Sequence, residues 1–318
     1  MRILITGGNG FIGSHLSTVL CERGHDVVIV DREARDPNAS VGDVTMHRMD
    51  LCDEPLTPLL SAVDLVVHLA STLGIKYGID NAEEQWRNNI LSTREVLEAC
   101  STCGVRVILG SSSAIYGSTR NSNPIKETDV VLLERAMGPS VNYALSKLAQ
   151  ENLVDDFIDK EGLCAQKVRF FNCIGAGQKS TYGHVLPSFI EAALAERPLI
   201  VHGDGLQRRT FMHVCDAVEA LLLVIGANED RGVYNIGGTE ELSMRDLAER
   251  VIALTGSDST INYMGKEDAF CPGYMEPLAR VPDISRIRAL GFTASFSLGQ
   301  AIERTVADSI SLPEIQAR

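Results

Sequence analysis

Short strand-like runs alternate with helix-length segments through the first half of this 318-residue chain. Several of the runs are apolar without interruption, as strands are when helices cover both faces of their sheet. The predicted strands are Arg2–Thr6, Asp26–Val30, Met46–Met49, Asp64–Ala70, Val105–Ser111 and Cys164–Phe171. The helices predicted between them are Gly10–Arg23, Ala82–Cys103 and Asn142–Glu161. This alternation predicts an α/β fold of the Rossmann type, with a doubly wound parallel sheet.

A glycine-rich turn follows the first predicted strand and opens the first predicted helix. Gly7, Gly10 and Gly13 have the spacing G-x-x-G-x-x-G. Glycines at such positions allow a tight turn, a close approach of the backbone to a pyrophosphate, and close packing of the helix against the strand. The start of the helix, with Phe11 and Ile12, presents unpaired N–H groups to a phosphate. The turn therefore predicts a dinucleotide-binding site.

Asp31 indicates which dinucleotide is bound. It follows the second predicted strand, about 20 residues beyond Gly13, where an acidic residue binds the hydroxyls of the adenosine ribose. A carboxylate there repels a 2′-phosphate, so the sequence predicts NAD rather than NADP. Further cofactor contacts are expected where the next two strands end, at Asp50, Leu51, Leu69, Ala70 and Ser71.

The alternation becomes less regular in the second half of the chain. The helices predicted there are Leu186–Ala195, Cys215–Ile225, Ser243–Leu254, Ser285–Leu290 and Leu298–Ile310. Val233–Ile236 has the pattern of one more strand that returns to the sheet. We interpret residues 1–171 as an NAD-binding domain that is rejoined by about 212–236. Residues 172–211 and 237–318 are interpreted as a smaller, mixed α/β substrate-binding region.

The composition limits the classes of partner. With 45% hydrophobic and 22% charged residues, it is that of a soluble globular protein. The net charge of −13 argues against nucleic acid and anionic membranes as partners. No apolar run is long enough to span a membrane, and the N-terminus does not resemble a secretory signal. The eight cysteines are too scattered for a disulfide framework or a zinc site, so no metal is expected and the cytoplasm is the expected location.

Tyr143 and Lys147 lie four residues apart and share one face of a predicted helix. A free phenol titrates near ~10, and a nearby ammonium group favours its phenolate. The pair therefore predicts a general base for a substrate hydroxyl, or a general acid in the reverse direction. Three serines, Ser111–Ser113, end the strand before that helix, and a hydroxyl from them is expected to bind the same substrate oxygen. For this spacing alone, a solvated pair without a catalytic role is the alternative.

Taken together, these motifs resemble those of a family, the extended short-chain dehydrogenases/reductases of the NAD-dependent nucleotide-sugar epimerase/dehydratase group, such as UDP-glucose 4-epimerase. The resemblance runs nearly from end to end. Its motifs are TGGNGFIG (6–13), Asp31, HLAS (68–71), Asn89 with Thr93, SSSAIYG (111–117), YALSK (143–147), RFFN (169–172), GDG (203–205), RRTFMHVCD (208–216), YNIGG (234–238) and PDISRIRALGF (282–292).

The resemblance implies a catalytic triad of Ser113, Tyr143 and Lys147. Tyr143 is expected to remove the proton from the 4-hydroxyl of the sugar while C4 gives a hydride to NAD. Lys147 is expected to hold the nicotinamide ribose and to lower the pKa of the tyrosine. Ser113 is expected to bind the developing 4-keto oxygen. Tyr143 and Lys147 thus also contact the cofactor, and Ser113 and Tyr143 also contact the substrate.

The resemblance also implies the other binding residues. The further cofactor-lining positions are Asn89, Ser111 and Phe171. The substrate-binding positions are Asn172, His202, Arg209 and Arg280. Asn172 and Arg209 match positions that bind the diphosphate. His202 stands where relatives often stack an aromatic residue on uracil, and Arg280 is expected to reach a phosphate or a sugar substituent, with a plain surface position as its alternative.

Family members commonly form homodimers, in which two helices from each chain build a four-helix bundle. The helices predicted at 82–103 and 142–161 match these positions, so a homodimer is expected. Plain packing against the sheet is the alternative, because any doubly wound protein must cover that face.

Ala114 directs the prediction of the reaction. It follows Ser113, where nucleotide-sugar dehydratases and decarboxylases of the family usually carry an acidic residue. Without that carboxylate, the resemblance implies a 4-epimerase that inverts C4 of a UDP-hexose or UDP-hexuronate through a transient 4-keto intermediate. A 4-ketoreductase or 4,6-dehydratase that uses the same residues is the alternative. A non-catalytic NAD-binding regulator is a more distant one.

Overall fold

The fold is known from a computed structural model that describes residues 1–34, 44–117, 124–131, 133, 141–180, 183–227, 229–265, 268 and 279–311. Its strands are β1 (Arg2–Thr6), β2 (Asp26–Asp31), β3 (Thr45–Arg48), β4 (Leu65–His68), β5 (Arg106–Ser112), β6 (Ala165–Phe170), β7 (Cys173–Ile174), β8 (Leu199–His202), β9 (Arg208–Thr210), β10 (Met212–His213), β11 (Arg231–Ile236), β12 (Glu241–Ser243), β13 (Ile261–Met264) and β14 (Ala279–Arg280).

The α-helices are α1 (Phe11–Glu22), α2 (Ile75–Asp80), α3 (Ala82–Trp86), α4 (Ser92–Cys103), α5 (Asn142–Glu161), α6 (Val185–Leu194), α7 (Val214–Gly226), α8 (Met244–Thr255), α9 (Ser285–Ala289) and α10 (Leu298–Ile310). A π-helical turn, Arg87–Leu91, joins α3 to α4. The single helix predicted over 82–103 is therefore a continuous helical segment with one wider turn, whereas α5 has the predicted bounds.

Seven parallel strands form the central sheet, in the order β11-β6-β5-β4-β1-β2-β3. This arrangement confirms the predicted doubly wound α/β fold. The strand order reverses direction beside β1, so the carboxyl ends of β1 and β4 open a crevice there, where such folds bind ligands. The predicted extra strand is β11, which extends from Arg231 and pairs with β6.

Each face of the sheet is covered by its own apolar cluster. Alternate residues of β1 point to opposite faces, so Ile3 and Ile5 join the cluster with Leu16 of α1, and Leu4 joins the cluster with Val96 of α4. These strand residues are fully buried. The uninterrupted apolar runs in the sequence follow directly from this two-sided burial.

The C-terminal region contains small sheets that the sequence pattern did not reveal. Strand β9 pairs with β12 on one side and with β14 on the other, and β8 pairs with β13. A third apolar cluster lies under α6, α8 and α10. The region is thus mixed α/β, and the division of the chain into two functional domains stays a prediction.

A buried histidine links the sheet to α4. The two ring nitrogens of His68 bond to hydroxyls, Nδ1 to Thr6 Oγ1 at 2.7 Å and Nε2 to Thr93 Oγ1 at 2.9 Å. Burial, together with the positive charge of Lys147, lowers the pKa of His68 to about 3. The ring is therefore neutral in the folded protein at any pH near neutrality.

This neutral histidine predicts a loss of stability in acid. The unfolded chain protonates His68 below about pH 6.5, whereas the folded chain does so only near about 3, so the free energy of unfolding falls as the pH drops between these values. The expected contribution is up to about 1.4 kcal/mol per pH unit. Urea unfolding over this range is expected to show a shallower pH slope for His68→Gln than for the wild type. The same substitution at His47, on edge strand β3, is the control. Equal slopes for wild type and His68→Gln would contradict the assignment.

Candidate active site

The glycine-rich turn packs too tightly for side chains. Gly7 has φ +70°, and a Cβ there would lie 2.6 Å from the backbone nitrogen of Ala70. A Cβ at Gly13 would overlap the carbonyl oxygen of Gly7. Gly10 precedes α1 without any side-chain cap, so the first N–H groups of this helix point toward the crevice uncapped by a side chain. Phe11 and Ile12, both partly buried, form the first helical positions. The turn has the shape and the donors of a pyrophosphate site.

Asp31 lies beside this turn at the end of β2. Its Oδ2 accepts a hydrogen bond from the backbone N–H of Asn9, and its Oδ1 accepts one from Glu33, both at 3.0 Å. Because a carboxylate has about four acceptor sites, two remain for the ribose hydroxyls. Asp31 therefore fits the predicted role.

The residues at the ends of β3 and β4 have contacts within the chain that the sequence did not indicate. Asp50 Oδ1 accepts from the N–H of Cys52 at 2.9 Å, and the Leu51 side chain is buried in the core. Ala70 and the partly buried Leu69 lie against the glycine-rich turn and the sheet, whereas Ser71 Oγ donates to Asn89 Oδ1 at 3.0 Å. Contacts of these five residues with the cofactor stay predictions.

Asn89 serves a structural purpose that its predicted cofactor contact did not include. It is fully buried, and its Oδ1 accepts from Ser71 Oγ and from the N–H of Thr72. Its Nδ2 donates to the Thr72 carbonyl and to Ser146 Oγ. Both hydrogens and both lone pairs of the amide are therefore used within the chain. Asn89 ties the end of β4 to α5, and its contact with the cofactor stays a prediction.

Tyr143 and Lys147 lie on α5 as predicted, and the hydroxyl of Ser112, the residue before the predicted Ser113, acts on the phenol of Tyr143. Strand β5 extends to Ser112, whose Oγ hydrogen-bonds Tyr143 and also accepts from the N–H of Ala114 at 3.1 Å. Ser113 begins the following 3-10 turn and is buried. Strand β5 thus runs one residue further than the pattern indicated and ends beside Tyr143, while the role of Ser113 in the triad stays a prediction.

Burial dominates the electrostatics of the pair. It raises the pKa of Tyr143 to about 12, although the Ser112 hydroxyl acts in the opposite direction. Lys147 is buried, and its Nζ donates to the carbonyl of Gly110 at 2.9 Å. Burial lowers the pKa of Lys147 to about 7, against the attraction of Glu151. Burial thus shifts the pKa of Tyr143 upward, opposite to the lowering that the sequence predicted.

Ser111 and Phe171 are both buried and have contacts within the chain. Ser111 is buried and its Oγ donates to Glu151 Oε1 at 2.5 Å. The Phe171 ring is buried beside Tyr116, with centroids 6.1 Å apart, in a small apolar cluster. The neighbouring Phe170, at the end of β6, is partly buried. Contacts of Ser111 and Phe171 with the cofactor stay predictions.

The substrate-side arginines meet on neighbouring strands. Arg209 of β9 pairs in register with Arg280 of β14, and Arg280 Nη2 donates to the Gly117 carbonyl at 3.2 Å. The exposed Asn172 donates from Nδ2 to the Thr210 carbonyl at 2.9 Å. His202 ends β8 and is partly buried. Two adjacent guanidinium groups suit a diphosphate, and the roles of these four residues stay predictions.

Two more findings limit the site. Within the described residues, no group of three or more His, Cys, Asp or Glu side chains is arranged to hold a metal ion. No helix in the described part of the chain is long and apolar enough to cross a membrane. The uncapped glycine-rich turn, the carboxylate of Asp31 and the Tyr143–Lys147 pair fit NAD as the cofactor.

Sequence comparisons agree with this geometry. A family model described as the NAD dependent epimerase/dehydratase family matches residues 3–237. A UDP-N-acetyl-alpha-D-glucosaminuronate decarboxylase from Bacillus cytotoxicus is 33% identical over 96% of this chain and 96% of its own length. UDP-glucuronic acid decarboxylase 1 from Arabidopsis thaliana is 31% identical over 97% of this chain and 69% of its own length.

Solved structures with NAD are also similar. MoeE5 in complex with UDP-glucuronic acid and NAD has a TM-score of 0.87 and 31% identity, and the match covers 98% of this chain and 99% of MoeE5. The UDP-glucuronic acid 4-epimerase from Bacillus cereus, in complex with UDP-glucuronic acid and NAD, has a TM-score of 0.85 and 26% identity, over 97% of this chain and 98% of the epimerase.

The two neighbouring serines provide a direct test of the site. Ser112→Ala is expected to reduce kcat at least about a hundredfold, because it removes the hydroxyl beside the reacting oxygen. Ser113→Ala, the matched control, is expected to stay within a fewfold of the wild type. Turnover is compared for both variants. Tm is measured as well, because Ser112→Ala also removes the hydrogen bond from the N–H of Ala114 to the Ser112 hydroxyl. A larger loss of kcat in Ser113→Ala would instead support Ser113 as the serine of the triad, as the sequence predicted.

Proposed function

This chain belongs to the NAD dependent epimerase/dehydratase family, and from that membership we propose that it oxidises C4 of a UDP-linked hexuronic acid and releases C6 of the 4-keto product as CO2. The observation that carries the substrate class is the agreement of two comparisons. The curated relatives reported above are decarboxylases of UDP-linked uronic acids, and the solved structures reported above contain UDP-glucuronic acid.

The residues of the crevice suit oxidation at C4. Tyr143 accepts the proton of the 4-hydroxyl, and the Ser112 hydroxyl holds the same oxygen as it becomes a carbonyl. The glycine-rich turn and Asp31 would hold NAD, which would supply a reversible hydride acceptor for C4. Arg209 and Arg280 hold the diphosphate and so fix the distance between the sugar and Tyr143.

Loss of CO2 follows from the chemistry of the oxidised sugar. A 4-keto group lies β to the C6 carboxylate, so the C5–C6 bond breaks with its electron pair passing to the C4 carbonyl as an enolate. Protonation at C5 and reduction at C4 then complete a pentose. The step needs no acid at the departing carboxylate, so Ala114 does not prevent it. The Ser112 hydroxyl stabilises the enolate oxygen.

A 4-epimerase acting on the same uronic acid is the second candidate. Ala114 favours it, because no carboxylate follows the serines, and similar solved structures include a UDP-glucuronic acid 4-epimerase. In this reaction the 4-keto sugar turns over within the site while Arg209 and Arg280 keep the diphosphate, and C6 is retained. The two candidates share the oxidation step and differ only in the fate of the carboxylate.

A homodimer and a cytoplasmic location stay part of the proposal. Trp86, the last residue of α3, and Leu91, the last residue of the following π-helical turn, are exposed apolar side chains. They belong to one of the two helical segments predicted to form a four-helix bundle. The cytoplasmic location depends on the scattered cysteines of the sequence, which are too sparse for a disulfide framework.

The reaction is tested by product analysis. Purified protein without added NAD is incubated with UDP-glucuronate and with UDP-N-acetylglucosaminuronate, and proton NMR is combined with CO2 capture. We expect a UDP-pentose and one CO2 per product. Tyr143→Phe, which lacks the base, is expected to lose at least about a hundredfold in rate.

UDP-glucose, which has no carboxylate to lose, is the substrate control. A 4-epimer that keeps C6 would replace the decarboxylase by the second candidate. No conversion of either uronic acid would overturn the proposed substrate class.

A further inference from the structure

Lys147 and Glu151 are two buried, oppositely charged residues of α5. They lie four residues apart, one turn along the same face of the helix, where Cβ atoms are about 5–6 Å apart. Both residues are buried, at 3% and 2% exposure. A lysine removed from water loses the hydration of its charge, so its ammonium form needs an opposing charge nearby.

Three hydrogen bonds hold the Glu151 carboxylate in place. Its Oε1 accepts from Ser111 Oγ at 2.5 Å and from Arg169 Nε at 2.9 Å, and its Oε2 accepts from Arg169 Nη2 at 2.7 Å. Such a bidentate pair is both strong and oriented. Because β5 and β6 supply these donors, the carboxylate is fixed relative to the sheet as well as to α5.

Arg169 is anchored independently of Glu151. Its Nη1 donates to the Tyr116 hydroxyl at 2.8 Å and to the Glu127 carbonyl at 2.9 Å. The Tyr116 hydroxyl in turn donates to Asn235 of β11 at 2.7 Å. The guanidinium group therefore stays in place if the carboxylate is changed.

The other groups around Lys147 carry no negative charge. His68 of β4 is neutral, because burial lowers its pKa to about 3. Tyr143 of α5 is a neutral phenol, because burial raises its pKa to about 12. Strand β5 presents the carbonyl of Gly110 and serine hydroxyls, and β6 presents Arg169, which is paired with Glu151. Among the described residues facing Lys147, Glu151 is the group that supplies negative charge.

We propose that Glu151 is a positioning residue for the C4 oxidation, whose buried carboxylate keeps Lys147 in its ammonium form beside Tyr143. The inference rests on the proposed function for its role in turnover. Tyr143 is a stronger base toward the sugar when a positive charge lies nearby, since that charge stabilises the phenolate. Glu151 acts through Lys147 and touches neither sugar nor cofactor.

The direction of the effect follows from the charges. Burial lowers the pKa of Lys147 to about 7, and Glu151 opposes this shift. Removing a nearby opposite charge lowers the pKa of a buried ammonium group by about 1–3 units. In Glu151→Gln the ammonium group therefore loses its proton below neutral pH. The unpaired guanidinium of Arg169 adds to this shift.

NMR of the lysine side chains tests the proposal without any turnover. Protein with ¹³C/¹⁵N-labelled lysine is titrated, and the Lys147 signal is assigned by its loss in Lys147→Arg. We expect the Lys147 titration to move to lower pH by about 1–3 units in Glu151→Gln. An unchanged Lys147 titration would overturn the proposal.

Asp155→Asn is the matched control. Asp155 lies one turn further along α5 and pairs with the buried Lys167 of β6 at 2.6 Å, so the same change breaks an ion pair between α5 and β6, as Glu151→Gln does, without facing Lys147. We expect its Lys147 titration to match that of the wild type. An equal shift in both variants would mean a general loosening of α5 and would overturn the specific role of Glu151.

If Glu151→Gln does not fold, the double variant Glu151→Gln with Arg169→Gln replaces it. In the double variant the guanidinium of Arg169 is not left buried without its carboxylate partner. The Lys147 titration is expected to move in the same direction by less, and an unchanged one would overturn the proposal.

Turnover provides the second readout. The basic limb of kcat/KM against pH is expected to move down with the Lys147 titration in Glu151→Gln and to stay in place in Asp155→Asn. A uniform fall at every pH would show a structural role only. If the wild type converts no UDP-hexuronate, the proposed function fails, while the NMR titration still decides the role of Glu151.

Discussion

The close packing of the first βα turn determines where everything else in the crevice lies. Because Gly7 and Gly13 leave no room for side chains, the start of α1 sits directly on the ends of β1 and β4. This contact brings the uncapped N–H groups of α1, the carboxylate of Asp31 and the end of β4 to one edge of the sheet. A side chain at either glycine would push the helix away and separate these groups.

The other half of the crevice is built on buried charge instead of close backbone packing. Lys147, Glu151 and Arg169 are removed from water between α5 and the sheet, where an ion pair usually adds little net stability because desolvation opposes it. A core of apolar residues would serve stability equally well. The account offered here gives the charges a functional reason, because Tyr143 needs a cation beside it and Lys147 needs an anion to remain one.

The sequence predicted the parts of the fold that have a strong period. The parallel sheet, helix α5 and the returning strand β11 all followed from runs of apolar residues with the spacing of strands or helices. The small sheet that pairs β9 with β12 and β14 was not predicted, because strands of two or three residues have no readable period and depend on contacts between distant segments. Arg209 and Arg280 are neighbours only through that pairing.

The sequence indicated which types of residue build the candidate site, but not the contacts that each residue makes. Tyr143 and Lys147 lie where the helix period indicated, whereas β5 is one residue longer than its apolar pattern and ends at Ser112, next to the predicted Ser113. Asn89 was expected to face the cofactor, but its hydrogen-bonding groups are used between β4 and α5. Such satisfaction of a buried amide depends on neighbours far along the chain, so the local sequence does not reveal it.

The central claim is that C4 of the sugar is oxidised and reduced again within one site. UDP-glucuronate carrying deuterium at C4 tests it most directly. The account predicts that the product, either a UDP-pentose or the 4-epimer, retains the deuterium at C4, because the hydride that leaves this carbon returns to it. Replacement of the deuterium by solvent hydrogen would contradict the account, since it would mean that C4 exchanges as a proton and not as a hydride.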